Sequence, residues 1–263
     1  MKWSAAIGRT DHALTWNVAG FACPLVYPPG QGWMYSSALD WAGFVLEQVT
    51  GKKLGAYMDE HIFTPLGMKN TTFWPHARAD LKDRLAATPF RPTNEEGGGE
   101  PLVPAPSPAP VEHEVESGGA GLYSTAADYV KFVAAIMRGD KVLFAKPETR
   151  ELLFAPQLDD VQRTAMRDVV ARLQSAMAPE FPPGLAIDFA FGGMLNMEDL
   201  PGRRRKGSVM WSGLANAHWW IDRETGVAGV FFTTVLRNPP GDPVVIRLYR
   251  ELEEAVYADL VGK

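Results

Sequence analysis

One cysteine, Cys23, and five histidines are all that 263 residues offer in soft or imidazole ligands. A single thiol excludes an internal disulfide framework and suits a reducing compartment, so the chain is expected in the cytoplasm. The histidines are scattered, with no Cys or Glu at ligand spacing, so no metal site and no cofactor are expected. His61 and His76 read as ordinary surface or half-buried residues. No apolar run approaches the ~20 residues of a membrane span, and no membrane partner is expected. The opening "MKWSAAIGRTDHALTW" lacks the apolar stretch that follows the lysine of a secretory signal. Excess basic charge is missing too: 26 Lys+Arg stand against 31 Asp+Glu. The one dense basic run, Arg203 to Lys206, sits between Pro201-Gly202 and Gly207 and reads as a solvated hairpin tip. Nucleic acid is therefore not an expected partner.

What is present is 46% apolar residues, enough for one large core or two modest ones. Ser37 to Asp40 has a capping-box pattern, and Leu39, Trp41, Ala42, Val45, Leu46 and Val49 follow at helical spacing until Gly51. A second helix is predicted from Leu54 to Phe63, with Leu54, Tyr57, Met58, His61 and Ile62 on one face. Residues 89–117, rich in Pro, Gly and Glu, read as a long surface loop. Thr125 caps a third helix running to Met137, Pro147 opens a short fourth ending near Phe154, and 160–177 suggests a fifth. Composition then shifts. "LAIDFAFGGML", "GSVMWSG", "ANAHWWID" and "GVAGVFFTTVL" are short β-branched or aromatic runs parted by turn residues, the pattern of antiparallel strands. The last segment, 242–260, places Val245, Leu248, Tyr249, Leu252, Ala255, Val256 and Leu260 on one stripe, an amphipathic helix expected to lie on that sheet. No internal repeat is present. The fold class is α+β. Residues 1–124 are expected to form a mainly helical and loop lobe. Residues 125–263 are expected to hold helices, an antiparallel sheet lobe and the closing helix.

The segment "PPGQGWMYSSALDWAGFVLEQVTGKKLGAYMDEHIFTPLGMKNTTFW" resembles the tyrosine-motif region of the serine β-lactamase-like superfamily, which includes class C β-lactamases, penicillin-binding proteins and family VIII carboxylesterases. "LDWAG", "GGAGLYSTAADYVKF", "FGGML" and "WWIDRETGVAG" are most similar to the fungal polyketide acyltransferase, or transesterase, branch. The resemblance runs from about Pro28 to the end of the chain. It implies a β-lactamase/transpeptidase-like fold and acyl-transfer chemistry. In such a site a Ser-x-x-Lys pair on a helix places an amine one turn from the nucleophilic hydroxyl. A tyrosine shuttles the proton, and a strand amide joins the nucleophile's own amide in the oxyanion hole.

Carried over residue by residue, Tyr35 matches the catalytic tyrosine, with Ser37 where many members have Asn. Trp211-Ser212-Gly213 matches the strand motif, so the resemblance makes the Leu214 amide the oxyanion donor and gives Ser212 a substrate contact. Trp rather than Lys at 211 sides with esterases and acyltransferases over β-lactam recognition. The nucleophile does not map. None of the serines at 4, 36, 37, 107, 117, 124, 175, 208 and 212 is followed by Lys three residues on, and only 34 residues precede Tyr35. The expectation is that the N-terminal strands and the nucleophile helix belong to a segment this chain does not contain, which would leave a large apolar surface uncovered beside Tyr35 and favour self-association.

Trp211, Trp219 and Trp220 read as alternating strand positions facing a core or pocket, not as a carbohydrate platform. Asp40, Asp128 and Asp222 read as caps and turn residues, and Ser212 has no base at useful spacing in the sequence. Two functions stand. One is a serine acyl hydrolase or acyltransferase acting on a small-molecule acyl ester or thioester, free or carrier-bound. The other is a catalytically inactive relative with a binding or regulatory role.

Overall fold

The computed structural model describes residues 2–92, 100–236 and 242–261. The middle of the expected loop, 93–99, lies outside the described residues. Two short helices, α1 (Lys2–Ala6) and α2 (Val18–Phe21), lead to α3 (Ala38–Thr50). Gly51 stops α3 in the left-handed region at φ 69°, where a glycine carries no Cβ penalty. Next come α4 (Leu54–Met58), a π-helical turn at Asp59–Phe63 and α5 (Thr64–Leu66). The wide turn breaks the regular face expected for 54–63: Leu54 and Phe63 are buried, whereas His61 is exposed. Strands β1 (Pro89–Phe90) and β2 (Val103–Pro104) pair across the loop.

Helix α6 (Ala126–Arg138) starts where Thr125 accepts a hydrogen bond from the Asp128 amide, as its sequence predicts. After it run α7 (Pro147–Leu152), α8 (Asp160–Arg172) and α9 (Gln174–Met177). The predicted strand runs form an antiparallel meander in the order β3 (Ile187–Ala190), β4 (Gly193–Asn196), β5 (Val209–Ser212), β6 (Ala217–Asp222) and β7 (Val227–Phe232). Pairing is uneven: β6 and β7 match over six residues, but β4 meets β5 only at Leu195↔Val209 and Met194↔Met210. The far end of β5, where Trp211 and Ser212 lie, is therefore not covered by β4.

Helix α10 (Pro243–Val261) packs on this sheet by only part of the expected stripe, Val245, Tyr249 and Val256. Its buried line is Val245, Tyr249, Glu253 and Tyr257, whereas Leu248, Leu252 and Leu260 are 53%, 42% and 61% exposed. Polar anchors decide the rotation. Tyr257 donates to Asp222 at 2.9 Å, and Glu253 takes two bonds from Arg204, at 2.6 and 3.1 Å. The expected solvated tip at 203–206 is corrected by the same contacts: Arg204 is fully buried and its guanidinium lies 5.3 Å from the Phe181 ring. A guanidinium enters a core only with such a bidentate partner. Gly229 sits opposite Trp220 because a Cβ there would meet the indole at 2.0 Å.

Candidate active site

Tyr35 stands just ahead of α3, so whatever fixes the first turn of that helix fixes the tyrosine. The expected capping box does not form, since the Ser37 side chain caps nothing. Asp40 instead turns inward, 6% exposed, and accepts from the Ser117 hydroxyl at 2.6 Å and the Gly119 amide at 3.2 Å. Close backbone approach explains the glycines of "SGGAG". A Cβ on Gly118 would lie 2.7 Å from the Leu39 carbonyl, and one on Gly119 would lie 2.9 Å from the Asp40 carboxylate. Asp128 is buried in the same manner: it accepts from the Asn70 amide at 2.6 Å and pairs with Lys131 at 2.7 Å.

Held this way, the Tyr35 ring lies 5.5 Å from that of Trp211 at an angle of 38°. Trp211 meets Phe189 at 5.4 Å, and Phe189 meets Trp33 at 5.7 Å, so four aromatic rings form one continuous wall. Tyr35 is 56% exposed and its phenol ring borders solvent. At the end of β5 the Gly213 amide donates to Ala217 at 3.0 Å and the Gly213 carbonyl accepts from Asn216 at 3.0 Å. Gly213 is thus committed to β6, and by the alternation of an antiparallel ladder the backbone of Ser212 faces the uncovered edge. Leu214 is 48% exposed, and among the described residues its amide has no acceptor. Asn216 holds the turn. It is buried at φ 52°, and its side-chain amide donates to the Val235 carbonyl at 2.9 Å.

Tyr35, Trp211, and the turn through Gly213 and Leu214 therefore share one region, while Ser37 is half-buried at the helix start and Ser212 is 9% exposed. Outside it, α3 turns Leu39, Val45 and Val49 to solvent, at 65%, 61% and 79% exposure. A surface cavity of about 490 Å³ lined by Arg138, Lys141, Phe144 and Arg150 shares no residue with the aromatic wall.

The sequence pattern of the family described as Beta-lactamase matches residues 16–254. The chain belongs to the beta-lactamase family. Within that family it is 33% identical over 267 residues to the lovastatin esterase of Penicillium rubens, covering all of this chain and 64% of the relative. It is 32% identical over 240 residues to the monacolin J acid methylbutanoyltransferase of Aspergillus terreus, covering 90% of this chain and 57% of that one. The structure superposes on the LovD6 mutant of simvastatin synthase from Aspergillus terreus with a TM-score of 0.84 at 32% identity, covering 92% of this chain and 58% of the other. The chain thus spans about three-fifths of the length of these relatives, whose fold it shares. No helix among the described residues is long and apolar enough to cross a membrane.

Sequence reasoning missed Asp40 with Ser117, Asn216, and the two rings of Trp33 and Phe189. The glycine cluster at 118–121 was the available signal for the first pair, because clustered glycines mark a backbone pressed against another.

Proposed function

We propose that this chain supplies the tyrosine and the oxyanion edge of a β-lactamase-type acyl hydrolase or acyltransferase. The carrying observation is the approach of Tyr35 to Trp211 beside the uncommitted Leu214 amide. In this reading the Tyr35 phenol moves the proton of an attacking hydroxyl. The Leu214 amide donates to the oxygen that gains charge as the carbonyl becomes tetrahedral, where a prearranged donor is most effective. Ser212 and Ser37 contact the substrate, and Trp211 walls it. The substrate class is an acyl ester or thioester, free or carrier-bound. Relatives named as an esterase of lovastatin and a methylbutanoyltransferase of monacolin J acid support acyl esters of fungal secondary metabolism. The nucleophile is assigned to none of the nine serines, because none lies in Ser-x-x-Lys. That same observation favours the second reading, an inactive relative that keeps the binding wall.

Two measurements test the assignment. Incubation of the chain with a serine-reactive phosphonate, followed by intact-mass analysis, is expected to show no stoichiometric adduct; an adduct on any serine would overturn it. A chimaera joining the part of the lovastatin esterase that this chain does not match to this chain is expected to hydrolyse p-nitrophenyl butyrate. Tyr35→Phe should slow it by roughly 10²–10⁴-fold, the usual reach of a general base. A folded chimaera without turnover would favour the inactive relative.

A further inference from the structure

His218 on β6 stands directly opposite Ser212 on β5, so the two side chains leave the sheet on one face with Cβ atoms about 5 Å apart. The imidazole is fully buried and lies nearly flat on the Tyr249 ring, 4.4 Å away at 21°. Its Nδ1 is 3.5 Å from Oε1 of Glu180, whose side chain is also fully buried. Among the described residues neither carboxylate oxygen of Glu180 accepts a conventional hydrogen bond. Burial alone would raise the Glu180 carboxyl, but the neighbouring His218 and the charge of Arg204 hold it below its ordinary value. Further polar groups near Glu180 include Arg203 on the Glu180 carbonyl, Arg204 paired with Glu253, and the Tyr249 hydroxyl.

An apolar pair of equal volume would fill this space without removing two ionisable groups from water. What the polar pair adds is direction. The Tyr249 stack sets the imidazole plane, Glu180 stands at its Nδ1 edge, and the imidazole lies opposite the strand residue next to the Gly213–Leu214 turn. We propose that Glu180 and His218 are a positioning pair for that turn, holding Ser212 and the Leu214 amide in ligand-binding geometry. The proposal rests on the reading of the Leu214 amide as the oxyanion donor and adds the buried support behind it.

The test is NMR on the whole isotope-labelled chain, comparing the Gly213 and Leu214 amide signals of wild type and variants at one pH. Glu180→Gln, which loses the carboxylate charge, and His218→Phe, which keeps the stack on Tyr249 but loses the polar edge, are each expected to move both amide signals while the amides of α3 stay in place. Glu180→Asp, which keeps a carboxylate, is expected to leave both signals closer to wild type than Glu180→Gln does. Gly213 and Leu214 amides unmoved in both Glu180→Gln and His218→Phe would overturn the proposal. So would shifts as large in α3 as at the turn, or a Glu180→Asp variant no closer to wild type than Glu180→Gln. Because the readout is chemical shift in this chain, it is independent of whether the chimaera is active, and a failed oxyanion reading would show only there.

Discussion

The Ser117 hydroxyl donates to the Asp40 carboxylate across 2.6 Å, joining residues 77 apart in sequence at the root of the tyrosine-bearing helix. Asp40→Ala leaves the Ser117 hydroxyl and the Gly119 amide without this acceptor in a buried place, a change expected to cost about 2–4 kcal/mol in urea unfolding. Ser117→Ala removes one partner only and should cost about half as much. Equal losses from both variants would show that the carboxylate is not the organiser.

Arg204 and Glu253 offer a sharper contrast. Glu253→Gln leaves a fully buried guanidinium without its counter-charge and is expected to cost about 3–5 kcal/mol. The double variant Arg204→Met with Glu253→Leu should recover most of that, because neither charge then needs solvation. A double variant as unstable as the single one would mean that Arg203 and Tyr249 depend on the pair.

The turn beside Leu214 can be tested at Asn216. Asn216→Gly tolerates the φ of 52° but loses the bond to Val235, whereas Asn216→Ala loses both. Thermal melts should rank wild type above Gly and Gly above Ala, with about 1 kcal/mol separating the two variants. The reverse order would make the left-handed backbone irrelevant.

Alkali should unfold the protein. Burial pushes the Tyr129 phenol up from 10.0 to about 12, and burial raises Tyr249 and Tyr257 as well. An acid whose folded pKa is raised keeps its proton in the native state and releases it in the unfolded one. The stability is therefore complete below pH 10 and is lost as pH rises from about 10 to 12, by about 1.4 kcal/mol per unit for each such group. Tyr129→Phe should flatten that part of the curve, and an unchanged slope would mean that this phenol is solvated.

Open apolar side chains on α3 predict association. Leu39→Gln, Val45→Lys and Val49→Gln together should lower the sedimentation-average mass of a self-associating chain while leaving its helical circular dichroism intact. A wild-type chain that sediments as a monomer at all concentrations would remove the premise.

Much of this architecture is readable in the sequence where local chemistry decides. The Thr125 cap, the stop at Gly51 and the turn residues between aromatic runs each act over a few neighbours, and the elements they bound are present. The face of α10 is not readable. Its leucines advertise one stripe, but Tyr249, Glu253 and Tyr257 find partners across 35 to 49 residues, and those partners set the rotation. The burial of Arg204 hides for the same reason, and so does the register that sets His218 against Ser212. Resemblance, not periodicity, suggested bringing Tyr35 together with Trp211, because no spacing rule links positions so far apart.

The unequal ladders of the sheet have a consequence in time. Opening by local fluctuation begins where the fewest bonds must break together. The two matched residues between β4 and β5 will yield long before the six between β6 and β7. Amide hydrogen exchange should therefore run fast at Met194 and Met210, whose amides face each other across that ladder, and slowest near Trp220 and Ile221. Phe189 belongs to the β3–β4 hairpin, on the weakly paired side, and Trp211 to β5, on the strongly paired side. Exchange is therefore expected to divide the aromatic wall, with Phe189 on its faster side and Trp211 on its slower one.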